Sequence, residues 1–401
     1  MKTEGDRQAA TIEPSDERLV PLGWDERFAA ALKAIREGGA GGPGAGLEPG
    51  RVIAVHRGTS VVRTVNGDLP AGLAAQLRLA IRGPMDYPAV GDWVAVQPAS
   101  GGGAGAPATA SGRAAIHALL PRRGALVRTA RDAARRGPAG HHDEQVLAAN
   151  VDVAFVVDSF DSGPNLRRLE RYLALAWSAR AHPVVVLNKA DVADADAIAG
   201  ALATVATIAP GVAVVLASAR TGGGIAAIRA EIRPGRTAVV VGPSGAGKST
   251  IVNGLLGEAR QATGEVRLDD SRGRHTTTVR ELFELPGGGL IIDTPGIRSL
   301  ELAMDEGALD RAFAEIAALA LQCRFADCRH EGEPGCAVLR AVEEGRLTPE
   351  RLANARRLTD EAGRRSAAGS NNTTGRKRRD KTIAPAVRQH SRIKDRGPTD
   401  R

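Results

Sequence analysis

The chain has 401 residues, 43% hydrophobic and 25% charged, which is enough apolar content for two or three cores and too long for one small domain. No apolar run reaches the length of a membrane span, and Met1 to Arg7 has no apolar signal core behind it, so a cytoplasmic protein without membrane contact is expected. The net charge of +8 is lopsided: Arg364 to Arg401 holds twelve Lys/Arg against three Asp/Glu, which leaves the other 363 residues at −1. Basicity therefore belongs to a tail and not to a fold, and a basic, polar tail over 364–401 reads as disordered and suited to nucleic acid. All three cysteines lie between 323 and 336, an odd number in one short stretch, and neither fact suits a disulfide framework.

Residues 1–49 read as a flexible extension with one amphipathic piece, Asp25 to Leu32, followed by the Gly-rich run Gly38 to Gly44. From 50 to 125 the pattern changes to short strands at 51–55, 60–65, 74–81, 92–97 and 114–120, with a Gly/Ala/Ser-rich insertion at 101–112. Five such strands fit an OB-type β-barrel, and an SH3-like barrel fits nearly as well. Trp93 suits the barrel core better than a base-stacking surface. The basic segment 122–142 reads as a linker with an RNA-facing surface.

Beyond it, apolar strands at 151–157, 183–187, 212–216, 237–241 and 290–292 alternate with helical patterns, the first helix placing Leu166, Leu169, Leu173 and Ala176 on one face. Strand and helix in alternation mean a doubly wound parallel α/β sheet, here over 126–300. In such a sheet ligands sit at the carboxyl ends of strands. Asn188-Lys189-Ala190-Asp191 ends one of them. Asp191 can accept hydrogen bonds from guanine N1–H and the 2-amino group, Lys189 can lay its stem along the base, and Asn188 can tie this loop to a phosphate loop. Adenine has no matching donors, so a carboxylate there discriminates by 10⁴ or more, on the order seen when a buried polar group is left unpaired. Ser218-Ala219 supplies a companion loop whose backbone N–H meets guanine O6.

Gly242-Pro243-Ser244-Gly245-Ala246-Gly247-Lys248-Ser249-Thr250 matches G-x-x-x-x-G-K-[ST] between a β-branched strand and a helix. Successive N–H groups and a positive helix end then converge on one spot, the geometry that suits phosphate. Lys248 reaches the outer phosphates and Ser249 coordinates Mg²⁺. Asp293-Thr294-Pro295-Gly296 gives D-x-x-G, with Asp293 toward Mg²⁺ through water and the Gly296 amide toward the γ-phosphate. Between them, Gly273 to Thr278 is a switch-like loop from which Thr277 is the favoured Mg²⁺ ligand. The glutamine that positions water in Ras-type GTPases has no counterpart, since Ile297 follows Gly296; His275 is the nearest candidate, a loop histidine contacting RNA being the other reading. Base-reading motifs precede phosphate-reading ones, the reverse of ordinary small GTPases, which is a circular permutation.

Cys323-x₄-Cys328-x-His330-x₅-Cys336 is a complete tetrahedral set for one structural zinc, with no position left for water. It sits among helical pieces at 308–321, 337–344 and 348–357, so 301–363 reads as a small helical domain pinned by metal.

Together these motifs and their order resemble the RsgA/YjeQ family of small-ribosomal-subunit-dependent GTPases, as do Leu120-Pro121-Arg122-Arg123, Asn165 to Tyr172 and Glu333-Pro334-Gly335-Cys336. The resemblance runs from about Arg51 to Arg365. It implies a monomeric GTP/GDP-binding hydrolase whose partner is the maturing small subunit and its rRNA, which stimulates hydrolysis. It also places a histidine in the switch phrase, at His275. A GTP-binding switch with negligible hydrolysis and a P-loop ATPase or kinase are the competing classes; His275 with Asp293 argues against the first and Asp191 against the second.

Overall fold

The structure, a computed structural model, describes residues 12–38, 46–56, 58–99, 113–129, 144–257, 280–293 and 306–369. The chain divides into two compact units, residues 1–129 with 144–303, and residues 130–143 with 304–401.

The first unit opens with a 3₁₀ turn, Pro14–Leu22, and helix α1, Glu26–Gly38. Asp25 starts the helix by accepting the Phe28 N–H at 3.1 Å. Phe28 and Leu32, four apart, face inward with Leu19, Leu22 and Trp24. The flexibility expected over 1–49 therefore does not extend to residues 12–38, because their apolar side chains complete a core: Trp24 and Phe28 pack on Trp93 with ring centroids 4.8 and 5.8 Å away. Trp93 is fully buried, a core residue.

Strands β1 (Glu48–His56), β2 (Thr59–Thr64) and β3 (Gly67–Leu73), helix α2 (Ala75–Ala80), and strands β4 (Trp93–Gln97) and β5 (Ala114–Leu119) follow. Their order, β1-β2-β3-β5-β4 with β4 paired back to β1, closes a five-stranded barrel of OB type, with β3 and β5 parallel. The strand expected at 74–81 is helix α2, and the third strand lies earlier. Ala75 to Ala80 are good helix formers with no β-branched member. Leu77 packs on the barrel core whereas Leu79 is 88% exposed, so the apparent alternation does not mark a buried face. The hairpin lies just before the third strand: Thr64 pairs with Gly67 across the two-residue turn Val65-Asn66, and Gly67 opens β3 at φ +112°.

Strands β6 (Ala125–Thr129) and β7 (Glu144–Ala149) form an antiparallel pair, so part of the expected linker is strand. The α/β sheet comprises β8 (Val153–Ser159), α3 (Leu166–Ser178), β9 (His182–Asn188), α4 (Ala195–Ile208), β10 (Ala213–Leu216), α5 (Ile225–Ala230), β11 (Thr237–Val241), α6 (Lys248–Leu256), β12 (Arg280–Glu284) and β13 (Leu290–Asp293). In sheet order β10-β9-β8-β11-β13-β12, every pair is parallel except the last. Helix α6 buries Ile251 and Leu255 against Phe155, Val184, Val240 and Ile291.

Strand β12 also pairs with β1, Ala54 opposite Glu281 and Val55 opposite Arg280, so barrel and α/β sheet are one continuous hydrogen-bonded surface within one unit. Fully buried Arg51 reinforces the seam by donating to Thr237 Oγ1 at 2.8 Å and to the Leu22 carbonyl. The second unit holds α7 (Glu306–Ala312), α8 (Ala314–Ala320), α9 (Ala337–Glu343) and α10 (Pro349–Gly369).

Truncating the aromatic centre of the seam, Trp93→Ala, should cost about 3–5 kcal/mol, as for other buried aromatics. Urea unfolding should show a lowered midpoint at unchanged slope; a loss below about 1 kcal/mol would mean that the cluster does not support the unit.

Candidate functional site

The motif-bearing loops gather at the carboxyl ends of β8, β9, β10, β11 and β13, as parallel pairing requires: Leu216 lies beside Leu187, Asn188 beside Ser159, and Val241 beside Val156. Asn188, 2% exposed, joins three of them. Its Nδ2 donates to the Ala246 carbonyl at 2.8 Å, and its Oδ1 accepts the Ala219 N–H at 3.0 Å. Gly247 permits this approach, since a Cβ there would lie 2.2 Å from Asn188 Nδ2. It also takes φ +90°, which L side chains rarely adopt, as the chain enters α6.

Lys189 sits in the left-handed region at φ +59°, and Ala190 donates its N–H to the Ala217 carbonyl at 2.9 Å, stitching the two base-side loops. Asp191 accepts from Ser218 Oγ at 2.5 Å on one oxygen and from Arg220 Nη2 at 3.1 Å on the other. These bonds, Ser218 first, hold its carboxyl below the usual range, so it stands as an acceptor-only group at neutral pH. On the phosphate side Gly242, Pro243, Ser244, Gly245, Ala246 and Gly247 wrap from β11 into α6, whose first turn carries Lys248, Ser249 and Thr250. Lys248 Nζ donates to the Pro243 carbonyl at 2.5 Å. Asp293 ends β13, the strand next to β11. His275, Thr277 and Gly296 lie outside the described residues.

Three side chains here were not singled out in the sequence. Asp161 contacts Lys189, Arg220 contacts Asp191, and buried Asp158 accepts from Asn165 N–H at 3.1 Å and Arg168 Nη2 at 2.7 Å, anchoring the loop that enters α3. Position just past a strand's carboxyl end is the one signal that marks Asp161.

In the second unit Cys323, Cys328, His330 and Cys336 place their ligand atoms within 4.8 Å of one another. The Cys323 and Cys336 sulfurs are 3.9 Å apart, and His330 Nδ1 is 3.7 and 3.4 Å from them. A tetrahedron with Zn–S bonds of 2.3 Å has edges of about 3.8 Å, so donor chemistry and spacing both fit zinc. Local backbone shapes the knuckle. His330 takes φ +62°, Cys336 caps α9 by accepting the Leu339 N–H at 3.4 Å, and Glu333 accepts the N–H groups of Arg329, Glu331 and Gly332. Those backbone bonds pull the Glu333 carboxyl down to about 2.

The RsgA GTPase family profile matches residues 119–303. A "Small ribosomal subunit biogenesis GTPase RsgA" from Opitutus terrae is 45% identical over 348 residues, 86% of this chain and 89% of that one. The crystal structure of YjeQ from Thermotoga maritima superposes with a TM-score of 0.56 at 26% identity, covering 79% of this chain and 98% of that one. YloQ, described as a circularly permuted GTPase, shares the fold with a TM-score of 0.55 at 23% identity, over 80% and 96%. With the base-side loops preceding the phosphate loop along the chain, a five-stranded barrel before them and a Cys₃His cluster after them, this chain belongs to the RsgA family of GTPases.

Proposed function

We propose that this protein binds GTP at the carboxyl ends of its parallel sheet and hydrolyses it to GDP and phosphate while acting on the small ribosomal subunit during late assembly. The observation that carries the nucleotide reading is the Asn188 side chain, which holds the Asn188–Asp191, Ser218–Ala219 and Gly242–Thr250 loops around one position. Asp191, kept ionised by Ser218 and Arg220, reads the guanine edge; Ala219 N–H, already oriented by Asn188, lies on the same side. Lys248 and the amides of the glycine-rich loop take the phosphates. Mg²⁺, bound with GTP, would be held by Ser249, Asp293 and Thr277, and would neutralise charge on the transferring phosphoryl group. His275 is assigned to orient the attacking water, because Ile297 cannot.

The name of the Opitutus relative supplies the partner, and the basic stretch 364–401 suits rRNA, as its charge attracts phosphate without regard to nucleotide state. No helix among the described residues is long and apolar enough to cross a membrane. One zinc in the Cys323, Cys328, His330 and Cys336 cluster would pin the short helices α8 and α9, which have little core of their own.

Turnover of the protein alone should be slow, on the order of 10⁻⁴ to 10⁻² s⁻¹, where water is not held in line by a completed site. Purified small subunits should raise it at least tenfold, and large subunits should not. Equal rates with both subunits would remove the assigned partner.

Metal analysis of the purified protein should find one zinc per chain. Cys328→Ser should lower zinc content and the thermal midpoint of the second unit while changing GDP affinity less than about twofold. A chain with no zinc would contradict the assignment.

A further inference from the structure

The loop after β8 places a carboxylate on the lysine of the base-reading motif. Parallel pairing of β8 and β9 runs as far as Ser159 beside Asn188, which brings the 3₁₀ turn Phe160–Ser162 alongside Lys189. Lys189 Nζ lies 2.5 Å from Asp161 Oδ2. The other Asp161 oxygen accepts from Ser159 Oγ at 2.7 Å, and Ser159 is itself 2% exposed and fixed in the strand. Ser162 Oγ stands 3.4 Å from the same hydroxyl. The carboxylate is thus held from behind by a buried hydroxyl and presents its free side to the lysine.

From this geometry, and resting on the function proposed above, we propose that Asp161 is a positioning residue for guanine recognition, fixing the Lys189 side chain across the face of the base. A lysine stem has many rotamers in the free protein, and ordering it at the moment of binding would weaken affinity. Anchoring the ammonium on Asp161 orders the stem beforehand. It also neutralises the ammonium, so the methylenes serve as an apolar surface for the purine and the arm makes no distinction by phosphate charge. Arg220 acts on Asp191 from the opposite loop, so the two polar ends of the base-reading motif each have a partner outside that motif. The Asp161 carboxyl is held below the usual carboxylate range by Lys189 first and Ser159 second, which keeps this carboxylate ionised at neutral pH. Half-exposed pairs of this kind contribute little to folding, so the consequence is expected in binding and not in stability.

The test is calorimetric titration of the full chain with GDP and with a non-hydrolysable GTP analogue, both with Mg²⁺. Asp161→Asn should weaken both nucleotides by the same factor, about fivefold, the size of one ordered ion pair. Asp161→Glu should recover most of the loss. In a Lys189→Ala background, adding Asp161→Asn should change nothing further, because its only route to the base has been removed. Thermal midpoints of all variants are measured alongside. Affinity of Asp161→Asn within about 1.5-fold of the parent would overturn the proposal, as would an equal loss in the Lys189→Ala background or a loss seen with one nucleotide alone. A parent chain that bound neither nucleotide would overturn the nucleotide reading as well, which is distinct from a parent that binds and an Asp161→Asn variant that binds equally.

Discussion

One side-chain amide holds the site together. Asn188 needs a donor toward the Ala246 carbonyl and an acceptor for the Ala219 N–H at the same time, a demand that a side-chain amide meets and a carboxylate or hydrocarbon of similar size does not. At 2% exposure water offers no substitute, so losing either bond leaves a buried backbone group unpaired at a cost of about 1–3 kcal/mol. Several other choices follow from it. Residue 247 must lack a Cβ, and β9 must end with Asn188 level with Ser159, one strand from the β11 loop. Ala219 must follow an apolar strand, β10, that pairs in register with β9. None of these loops is ordered by its own sequence alone; the parallel sheet brings them within reach and Asn188 closes the arrangement.

The same sheet carries the site's mechanical connection to the barrel. Strand β12 pairs with β13, which ends at Asp293, and on its other edge with β1 of the barrel. A displacement of β12 along its axis would have to break hydrogen bonds on both sides. The seam is further closed by Arg51, whose complete burial pushes its guanidinium down to about 10, still charged at neutral pH. A buried charge of that kind is tolerated because it donates to Thr237 and the Leu22 carbonyl and lies 5.5 Å from the Trp93 ring. Arg63 adds an ion pair to Glu284 of β12 while holding Asp68 of its own barrel. Barrel, N-terminal helix and α/β sheet are therefore one unit, joined through β12 to the strand that ends at Asp293.

What could be read from the residues depended on how local the cause was. The phosphate loop, the Asn188–Asp191 motif and the Cys₃His cluster are each encoded in a short run whose spacing is its chemistry, and the apolar strands of the α/β sheet announce themselves as buried β-branched runs. The barrel was legible as a barrel, but Leu77 and Leu79 imitated a strand in a segment whose composition favours helix, and the Val65-Asn66 turn before Gly67, which sets β3, was the stronger signal. Residues 12–38 read as part of a flexible extension because their partners, Trp93 and Arg51, lie far along the chain. Asp161 was marked only by its place just past a strand's carboxyl end, and its partner was hidden for the same reason. Its bond to Lys189 spans 28 residues and exists only because β8 and β9 are in register.

The account stands most directly on Asn188. Asn188→Asp keeps size and shape but sets a carboxylate oxygen against the Ala246 carbonyl, with no proton between them. Titration calorimetry should show GDP and a non-hydrolysable GTP analogue both bound at least about tenfold more weakly, the size of one lost buried hydrogen bond that leaves the Ala246 carbonyl unpaired, while the bond from Ala219 N–H is kept. Zinc content and the cooperative unfolding of the second unit should be unchanged. Affinities within about threefold of the parent would contradict the claim that this amide assembles the site.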